Sequence, residues 1–278
     1  MTLVASRELD KYSMGRMKGY RALHFERLDD VLRITIDHPD NPLNAVDGLL
    51  HAELARVFRE LKREDQARAI VLTGRGRTFS AGGSFDWFPS LQDATALEHL
   101  RRDAKQMIWD LLDVEIPIVA AVNGPAVGLG ASLVLLCDVI YMADTASIAD
   151  PHVRVGIVAG DGGTAIWPLA VGPARAKQYL LTGDAVEAQE AERLGLVNHV
   201  VPTDSLQAEA LAFANRLAAG APLAIRYTKQ AVNKLVKDSL NIAFDTATAL
   251  ELVTFRSEDH QESLAAIRDK RKPKFSGR

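Results

Sequence analysis

The chain has 278 residues, of which 47% are hydrophobic, and a formal net charge of −3. This length suffices to bury the core of one large domain, and a charge so close to neutral argues against a nucleic-acid or membrane-surface binder. The single cysteine, Cys137, lies in an apolar stretch, which predicts a buried thiol and excludes a disulfide within the chain.

Residues 1–20 lack the apolar stretch of a signal peptide, and we expect them to form a loosely ordered leader. Residues 117–143 are apolar enough to resemble a membrane span. Asn123, Pro125, Asp138 and three glycines interrupt this stretch, so a strand, a turn, a helix and a second strand are predicted instead. We therefore expect a soluble, cytoplasmic protein.

The next elements follow from hydrophobic periodicity. Residues 22–27 and 31–37 alternate apolar and polar positions around Asp29 and Asp30, which predicts a hairpin. Beyond it the pattern predicts a helix over 46–64, a strand over 69–73, a helix over 93–113, a strand over 117–122, a short helix ending at Cys137 and a strand over 139–142. Strands that alternate with helices indicate a partly parallel α/β arrangement.

After Pro202 the pattern predicts helices alone, over 205–219, 222–236, 241–256 and 258–271. The chain is therefore divided into a leader (1–20), an α/β core (21–204) and a helical C-terminal region (205–278).

Two glycine-rich turns carry most of the functional information. They run from Phe79 to Gly83 and from Asn123 to Gly130, and each follows an apolar strand. Each is predicted to open a helix, which leaves backbone N–H groups without partners. Two such turns facing one point would form an oxyanion hole.

These turns resemble those of the crotonase (enoyl-CoA hydratase/isomerase) superfamily. The segment from Asn41 to Ala45 resembles the family's N-A-L-N segment near the CoA moiety. The stretch Leu181 to Pro202 and the tail from Ser257 to Phe275 resemble two further family segments, in the family's order. The resemblance extends over nearly the whole chain from about residue 21.

The resemblance implies a spiral of ββα units with a helical C-terminal region that forms homotrimers, or dimers of trimers. It implies that the N–H groups of Gly83 and Leu129 hold a thioester oxygen while an enolate forms. It also implies an acyl-CoA substrate, with coenzyme A as part of the substrate and no bound cofactor. The residues expected to contact the substrate are Leu43, Ala45, Ala81, Trp87 and Ser132.

The chain departs from the hydratase pattern at its acid–base positions. Hydratases of the family use two glutamates, whose positions fall on Ser132 and His152 here, and Ser84 replaces an acidic residue after the first turn. His152 is a candidate base near neutral pH without a large pKa shift, and Asp161 is a candidate partner. Alternatively, His152 is a hydrogen-bonded loop histidine and Asp161 a turn or helix-cap residue.

The segment from Asp150 to Pro168 is similar to the oxocamphor hydrolase branch, which cleaves a C–C bond of a cyclic β-diketone with a histidine and an aspartate at the positions of His152 and Asp161. Gly128 and Gly130 keep the glycine pattern of CoA-thioester enzymes instead. An aspartate in a similar Asp-Gly-Gly context also occurs in the naphthoate synthase branch. The leading hypothesis is an acyl-CoA enzyme of the hydratase/isomerase type. The alternatives are a β-diketone hydrolase and a non-catalytic relative.

Weaker candidates remain open. Glu251 is either a third polar group of the site or a solvated or interface carboxylate, and Trp87 either lines an acyl pocket or belongs to the core. The basic tail, with Arg268 and Lys270 among its residues, either meets CoA phosphates or is solvated. The spacing of the other histidines predicts no metal site.

Overall fold

The computed structural model describes residues 17–91 and 93–278, so most of the predicted leader lies outside the described residues. The chain enters the fold through an antiparallel hairpin of β1 (Leu23–Leu28) and β2 (Val31–Ile36). Asp29 adopts a positive φ of 52° in the connecting turn, a conformation that aspartate tolerates better than most residues. The predicted hairpin is therefore confirmed.

The main sheet has six strands in the order β1-β2-β3-β4-β6-β9, and every pair beyond the hairpin is parallel. The four further strands are β3 (Ala69–Gly74), β4 (Ile118–Val122), β6 (Val139–Ala143) and β9 (His199–Val201). All residues of β3 and β4 are buried, as expected of parallel strands covered on both faces. The predicted α/β class with a partly parallel sheet is confirmed.

A second, three-stranded sheet positions the site. It consists of β5 (Ala126–Val127), β7 (Ser147–Ala149) and β8 (Val186–Glu187), in the order β5-β7-β8. The strand β5 lies inside the second glycine-rich turn and pairs in parallel with β7. This pairing brings the end of that turn beside the residues that follow Ala149.

Nine α-helices surround the sheets in the described residues. They are α1 (Gly48–Leu61), α2 (Ala94–Asp113), α3 (Leu129–Leu135), α4 (Gly163–Val171), α5 (Pro173–Thr182), α6 (Ala188–Leu194), α7 (Leu206–Ala218), α8 (Pro222–Thr254) and α9 (Glu258–Arg268). Aspartates cap the first two: Asp47 accepts a hydrogen bond from Leu50 N, and Asp93 accepts from Thr95 N and Ala96 N.

The prediction of separate helices over 222–236 and 241–256 is wrong, because α8 is one continuous helix of 33 residues. No glycine or proline interrupts the chain between the two predicted segments. Lys237 pairs with Asp113, and Leu240 is fully buried, so the helix passes over the core where the sequence shows a short polar stretch.

The helical region is packed onto the sheet through α7. Its residues Leu206, Ala210, Ala214 and Ala218 recur every four positions and belong to the main hydrophobic core. The division of the chain at residue 205 therefore stays a prediction about organisation, and α7 shares its core with the strands.

Cys137 is buried, as predicted, and its Sγ lies 3.3 Å from the carbonyl oxygen of Leu133. Within residues 17–91 and 93–278, no helix is both long and apolar enough to cross a bilayer. The helix α8 exposes several apolar side chains, among them Leu235 and Ile242. The predicted homotrimer would cover such a face, and it stays a prediction.

Gly124 gives a test of how closely the second turn packs. A Cβ at this position would overlap the carbonyl oxygen of Arg77. We expect Gly124→Ala to lower the free energy of unfolding by more than about 2 kcal/mol, because the backbone at Arg77 and Thr78, just before the first turn, must shift. Urea denaturation measures this loss.

Gly48→Ala is the matched control. Its Cβ would meet Trp87 at an ordinary contact distance of 3.4 Å, and it lies in the first turn of α1. Alanine favours a helix over glycine by about 0.5–1 kcal/mol, so this variant should not be destabilised. Equal stability losses in the two variants would contradict the steric argument.

Candidate active site

The two glycine-rich turns lie side by side. Ser80 forms an isolated bridge with Ala126, and the Val127 N–H donates to the Ser80 carbonyl oxygen at 2.9 Å. Gly128 has a positive φ of 54°, and a Cβ there would lie 3.3 Å from Cε1 of His152. Glycine thus lets the second turn pass directly under the imidazole ring.

The first turn differs from its prediction, because it does not open a helix. Gly83 instead forms an isolated bridge with Val46, five residues before a short 3₁₀ segment, Phe88–Leu91. Val46 N donates to Gly82 O, and Ser84 N donates to Val46 O. The bridge therefore uses the neighbours of Gly83, and no hydrogen bond among the described residues uses the N–H of Gly83 itself.

The second turn opens a helix, as predicted. Leu129 is the first residue of α3, and the cap residue Gly128 has no side chain to satisfy the helix end. The N–H groups of a first helical turn have no partner within the helix. Gly83 and Leu129 both line one cavity, so the structure brings the two predicted oxyanion residues to the same place.

Two cavities meet at Gly83 and His152. The outer cavity, of about 250 Å³, includes Ala81, Phe85 and Arg154 in its lining. The inner cavity, of about 80 Å³, has a mixed polar and apolar lining that includes Val46, His51, Trp87, Leu91, Leu100, Ala104, Leu129, Asp161, Glu251 and Phe255. A mostly apolar pocket with a few convergent polar groups is typical of a small-molecule site.

His152 is held by a residue that the sequence analysis did not single out. Asp150 follows β7, and its carboxylate forms a short hydrogen bond with Nδ1 of His152. The Asp150 side chain is 1% exposed. The two residues are separated by Pro151 alone, just before a short 3₁₀ segment that begins at His152, so the sequence Asp-Pro-His after a strand was the available signal. The contact leaves Nε2 of His152 facing Asp161.

Asp161 has two distinct neighbours. Its Oδ1 accepts a hydrogen bond from the Ser132 hydroxyl at 3.1 Å, and its Oδ2 lies 3.6 Å from Nε2 of His152. The second distance is that of an ion pair and is longer than a hydrogen bond. Asp161 also accepts from the Gly163 N–H at the start of α4, and Gly162 occupies the cap position.

Glu251 reaches the same cavity from α8. Glu251 is 9% exposed, so it is not the solvated carboxylate among the alternatives. The hydroxyl of Thr248, one turn earlier, donates to the Gly160 carbonyl oxygen at 3.0 Å and docks the helix against the turn that carries Asp161. No local sequence motif identifies Glu251 as a site residue, because its position depends on how α8 packs.

Burial and mutual charge shift the pKa values of these groups. Burial alone lowers the pKa of His152, but the carboxylates of Asp150 and Asp161 outweigh it and raise the pKa to about 10. Burial raises the pKa of Asp161, against the lowering effect of His152. Burial also raises the pKa of Glu251, to about 8. The expectation of a histidine without a large pKa shift is therefore wrong, since His152 is favoured as an imidazolium.

The same cluster offers metal-ligand atoms. Carboxylate oxygens of Asp150 and Asp161 and a ring nitrogen of His152 all lie within 4.8 Å of one another, a donor set that suits a divalent cation. The spacing of the other histidines predicted no metal site, and that prediction did not include His152. Because Nδ1 of His152 is already bound to Asp150, the arrangement also suits proton transfer at Nε2.

The remaining predicted site residues separate into two groups. Ala81 lines the outer cavity, and Trp87 lines the inner one. Ser132 is 1% exposed and hydrogen-bonds to Asp161. Leu43 and Ala45 are not among the lining residues of the two cavities, and Leu43 contacts the first turn by accepting a hydrogen bond from Ala81 N.

Known proteins resemble this chain in both fold and sequence. A crystal structure of an enoyl-CoA hydratase/isomerase from Mycobacterium paratuberculosis is 41% identical and superposes with a TM-score of 0.84, over 88% of this chain and 98% of that one. A β-diketone hydrolase from Anabaena sp. PCC 7120, bound to (S)-3-oxocyclohexyl acetic acid, is 30% identical with a TM-score of 0.82, over 87% and 97% of the two chains.

Sequence comparison gives the same family. The 2,3-dehydroadipyl-CoA hydratase of Escherichia coli strain K12 is 32% identical over 253 residues, which cover 91% of this chain and 97% of that protein. A sequence model of the family described as "Enoyl-CoA hydratase/isomerase" matches residues 26–278. The resemblance in the two turns thus extends through the described fold and through almost the whole sequence, and the chain belongs to the enoyl-CoA hydratase/isomerase family.

Proposed function

We propose that this chain is an enzyme that acts on an acyl-CoA thioester through an enolate, with the N–H groups of Gly83 and Leu129 holding the thioester oxygen. The observation that carries the proposal is that Gly83 and Leu129, whose N–H groups have no hydrogen-bond partner among the described residues, line the same cavity as His152, Asp161 and Glu251. Two such donors stabilise the charge of an enolate oxygen, and losing one typically costs about 2.7–4 kcal/mol.

The pKa shifts favour one assignment of acid and base. His152 carries a proton at neutral pH because its pKa is about 10, so it acts as the acid at Nε2. Asp161 acts as the base, since burial makes its carboxylate more basic than usual. In hydration, Asp161 takes a proton from water, the water oxygen bonds to the β-carbon, and the electron pair of the double bond moves onto the thioester oxygen.

The cycle is completed at the α-carbon. The enolate collapses as His152 gives its Nε2 proton to that carbon, which leaves a neutral imidazole and a protonated Asp161. Transfer of the proton from Asp161 to His152 restores the starting state. Ser132, the residue at a hydratase glutamate position, then orients the base by its hydrogen bond to Oδ1.

The family relation supports the CoA thioester, because relatives named for CoA hydratases cover nearly the whole chain. The segment Asn41 to Ala45 lies against the first turn, where Ala81 N donates to Leu43 O at 3.0 Å. The outer cavity next to Ala81 opens beside the exposed Phe85 and leads to Gly83, which suits the entry of a thioester from that side.

A β-diketone hydrolase is the second candidate, favoured by the Asp150–His152 pair beside Asp161 and by the likeness to the Anabaena hydrolase. Asp161 and His152 would act as base and acid in this reaction as well. Asp161 takes a proton from water, and the hydroxide oxygen bonds to one carbonyl carbon. The C–C bond breaks with its electron pair entering the second carbonyl as an enolate, and His152 protonates the enolate carbon.

Binding of crotonyl-CoA and free CoA tests the CoA requirement. A ligand at one hundred times its Kd stabilises a protein by about 2.7 kcal/mol, so we expect a clear rise in the melting temperature with crotonyl-CoA. His152→Gln should keep this rise and lower turnover of crotonyl-CoA at least about 100-fold, because general acid catalysis is lost. Differential scanning fluorimetry and hydration kinetics measure the two effects.

His24→Gln is the matched control, since His24 lies on β1 with its side chain 61% exposed. Its activity should equal that of the wild type. A wild type whose melting temperature responds to neither CoA compound would overturn the CoA proposal.

Glu251→Gln tests the charge balance of the cluster through stability. The folded-state pKa of about 8 lies above the ordinary value of 4.5, so the folded state binds this proton more tightly than the unfolded state does. Wild-type stability therefore falls as pH rises from 4.5 to 8, where the buried carboxyl ionises. We expect the variant to match the wild type near pH 5 and to exceed it by about 2 kcal/mol at pH 9.

Urea denaturation at the two pH values gives the difference. A variant that is less stable than the wild type at pH 9 would show that the ionised Glu251 contributes favourable interactions, which contradicts the stability change expected from its raised pKa.

A cyclic diketone that cannot enolise at the carbon between its two carbonyl groups tests the second candidate. Hydrolysis of 2,2-dimethylcyclohexane-1,3-dione would give 6-methyl-5-oxoheptanoic acid, with one labelled oxygen in the carboxylate when the solvent is ¹⁸O-labelled water. If the chain is a diketone hydrolase, mass spectrometry should detect this acid with the wild type and at least about 100-fold less with His152→Gln. Absence of the acid with the wild type, or equal yields from both proteins, would exclude this activity.

A further inference from the structure

The inner cavity contains a polar side chain that the proposed chemistry does not use. His51 lies in the first turn of α1 and is 6% exposed. It lines the inner cavity together with Trp87, Leu100 and Ala104, and the centroids of the His51 and Trp87 rings are 5.5 Å apart. The imidazole is therefore part of the wall that a bound acyl group would meet.

This imidazole has no hydrogen-bond partner among the described residues. No side-chain hydrogen bond within residues 17–91 and 93–278 involves the ring, and its Nε2 is buried and unsatisfied. Buried polar atoms are nearly always paired, because an unpaired one costs stability. A leucine or phenylalanine at this position would line the cavity without an unpaired polar atom. The presence of a histidine therefore indicates that a ligand atom pairs with the ring.

The ring is neutral, and its pKa does not respond to the acid–base cluster. Burial lowers the pKa of His51 to about 4, and the charged side chain that opposes this is Asp103 of α2. The pKa of His152, in contrast, responds to Asp150, Asp161 and Glu251. A neutral imidazole has one N–H donor and one acceptor nitrogen, so it pairs with a carbonyl or a hydroxyl oxygen.

We propose that His51 is a specificity-determining residue that hydrogen-bonds a carbonyl or hydroxyl oxygen on the part of the acyl group remote from the thioester. The substrates of this chain are then oxygenated acyl-CoA compounds, and a purely hydrocarbon acyl chain is disfavoured. The CoA part of this statement rests on the proposed function, whereas the oxygen-binding part rests on the cavity wall alone.

The selectivity arises from an asymmetry of binding. A hydrocarbon group in the inner cavity would contact Leu100, Ala104 and Trp87 but would leave His51 unpaired. An oxygenated group of the same shape makes the same contacts and satisfies the ring as well. A site built around a hydrogen bond discriminates strongly against the analogue that lacks the polar atom.

Calorimetric titration with two ligands that differ in one oxygen tests the proposal. The probes are cyclohexylacetyl-CoA and 3-oxocyclohexylacetyl-CoA. We expect the wild type to bind the 3-oxo ester about tenfold more tightly. His51→Leu should reduce this preference to less than twofold, and His51→Asn, which keeps a donor and an acceptor, should retain part of it.

Two controls separate ligand binding from a structural role. Leu100→Val changes an apolar residue of the same cavity and should weaken the binding of both esters alike. His51→Leu should melt at the wild-type temperature or above it, because the ring makes no hydrogen bond within the described part of the chain. A structural histidine would instead lower the melting temperature when replaced.

The matching free acids, cyclohexylacetic acid and 3-oxocyclohexylacetic acid, separate this proposal from the proposed function. If only the free acids bind, the CoA proposal fails, and their ratio of Kd values tests His51 in the same way. The proposal for His51 is overturned if the wild type shows no preference within either pair, if His51→Leu keeps the preference, or if no probe binds.

Discussion

The burial of four ionisable side chains in one cluster, formed by Asp150, His152, Asp161 and Glu251, is the constraint on which the site depends. Moving a charge out of water is expensive unless partners compensate, so these groups must hold one another in fixed positions. Asp150 pairs with His152, and Asp161 accepts hydrogen bonds from Ser132 and Gly163. The fold meets this demand from three places in the chain: Asp150 and His152 follow β7, Asp161 lies just before α4, and Glu251 lies on α8.

The site has two parts with different origins: the backbone N–H donors and the acid–base side chains. The unpaired N–H groups of Gly83 and Leu129 come from backbone geometry, so they do not depend on which side chains stand beside them. The acid–base groups can therefore change while the site for the developing negative charge stays the same. Under the proposed function, this chain keeps the oxyanion donors of the family and uses His152 as the proton donor, with Ser132 and His152 at the positions that the resemblance assigns to the hydratase glutamates.

The sequence predicted the parts of the site that local pattern encodes. The hairpin, the parallel strands and the second turn follow from periodicity and from glycine positions, and His152 and Asp161 became candidates through the family resemblance. The first turn was wrongly expected to open a helix, because its bridge to Val46 is a contact between distant segments. The continuity of α8 was missed because Leu240 is buried by tertiary packing that a polar stretch conceals.

The electrostatics were the least predictable part. Asp150 was overlooked although it stands two residues from His152, and the large pKa shift of that histidine was missed with it. Glu251 was named only as one of several alternatives, since its position relative to Asp161 depends on the docking of Thr248 against Gly160. The pKa shifts depend on charged groups from several helices and strands, so they cannot be predicted before the relative positions of these elements are known.

The gap between Asp161 and His152 has a consequence for the timing of the proposed reaction. At 3.6 Å, Oδ2 and Nε2 are too far apart to share a proton, whereas a hydrogen bond would need about 3 Å or less. Acid and base therefore keep separate protons while the substrate reacts. In the proposed reaction, the proton on Asp161 therefore returns to His152 only after Oδ2 and Nε2 come closer than they are in this structure, so the recovery of the site is a step of its own, distinct from the bond-making that precedes it.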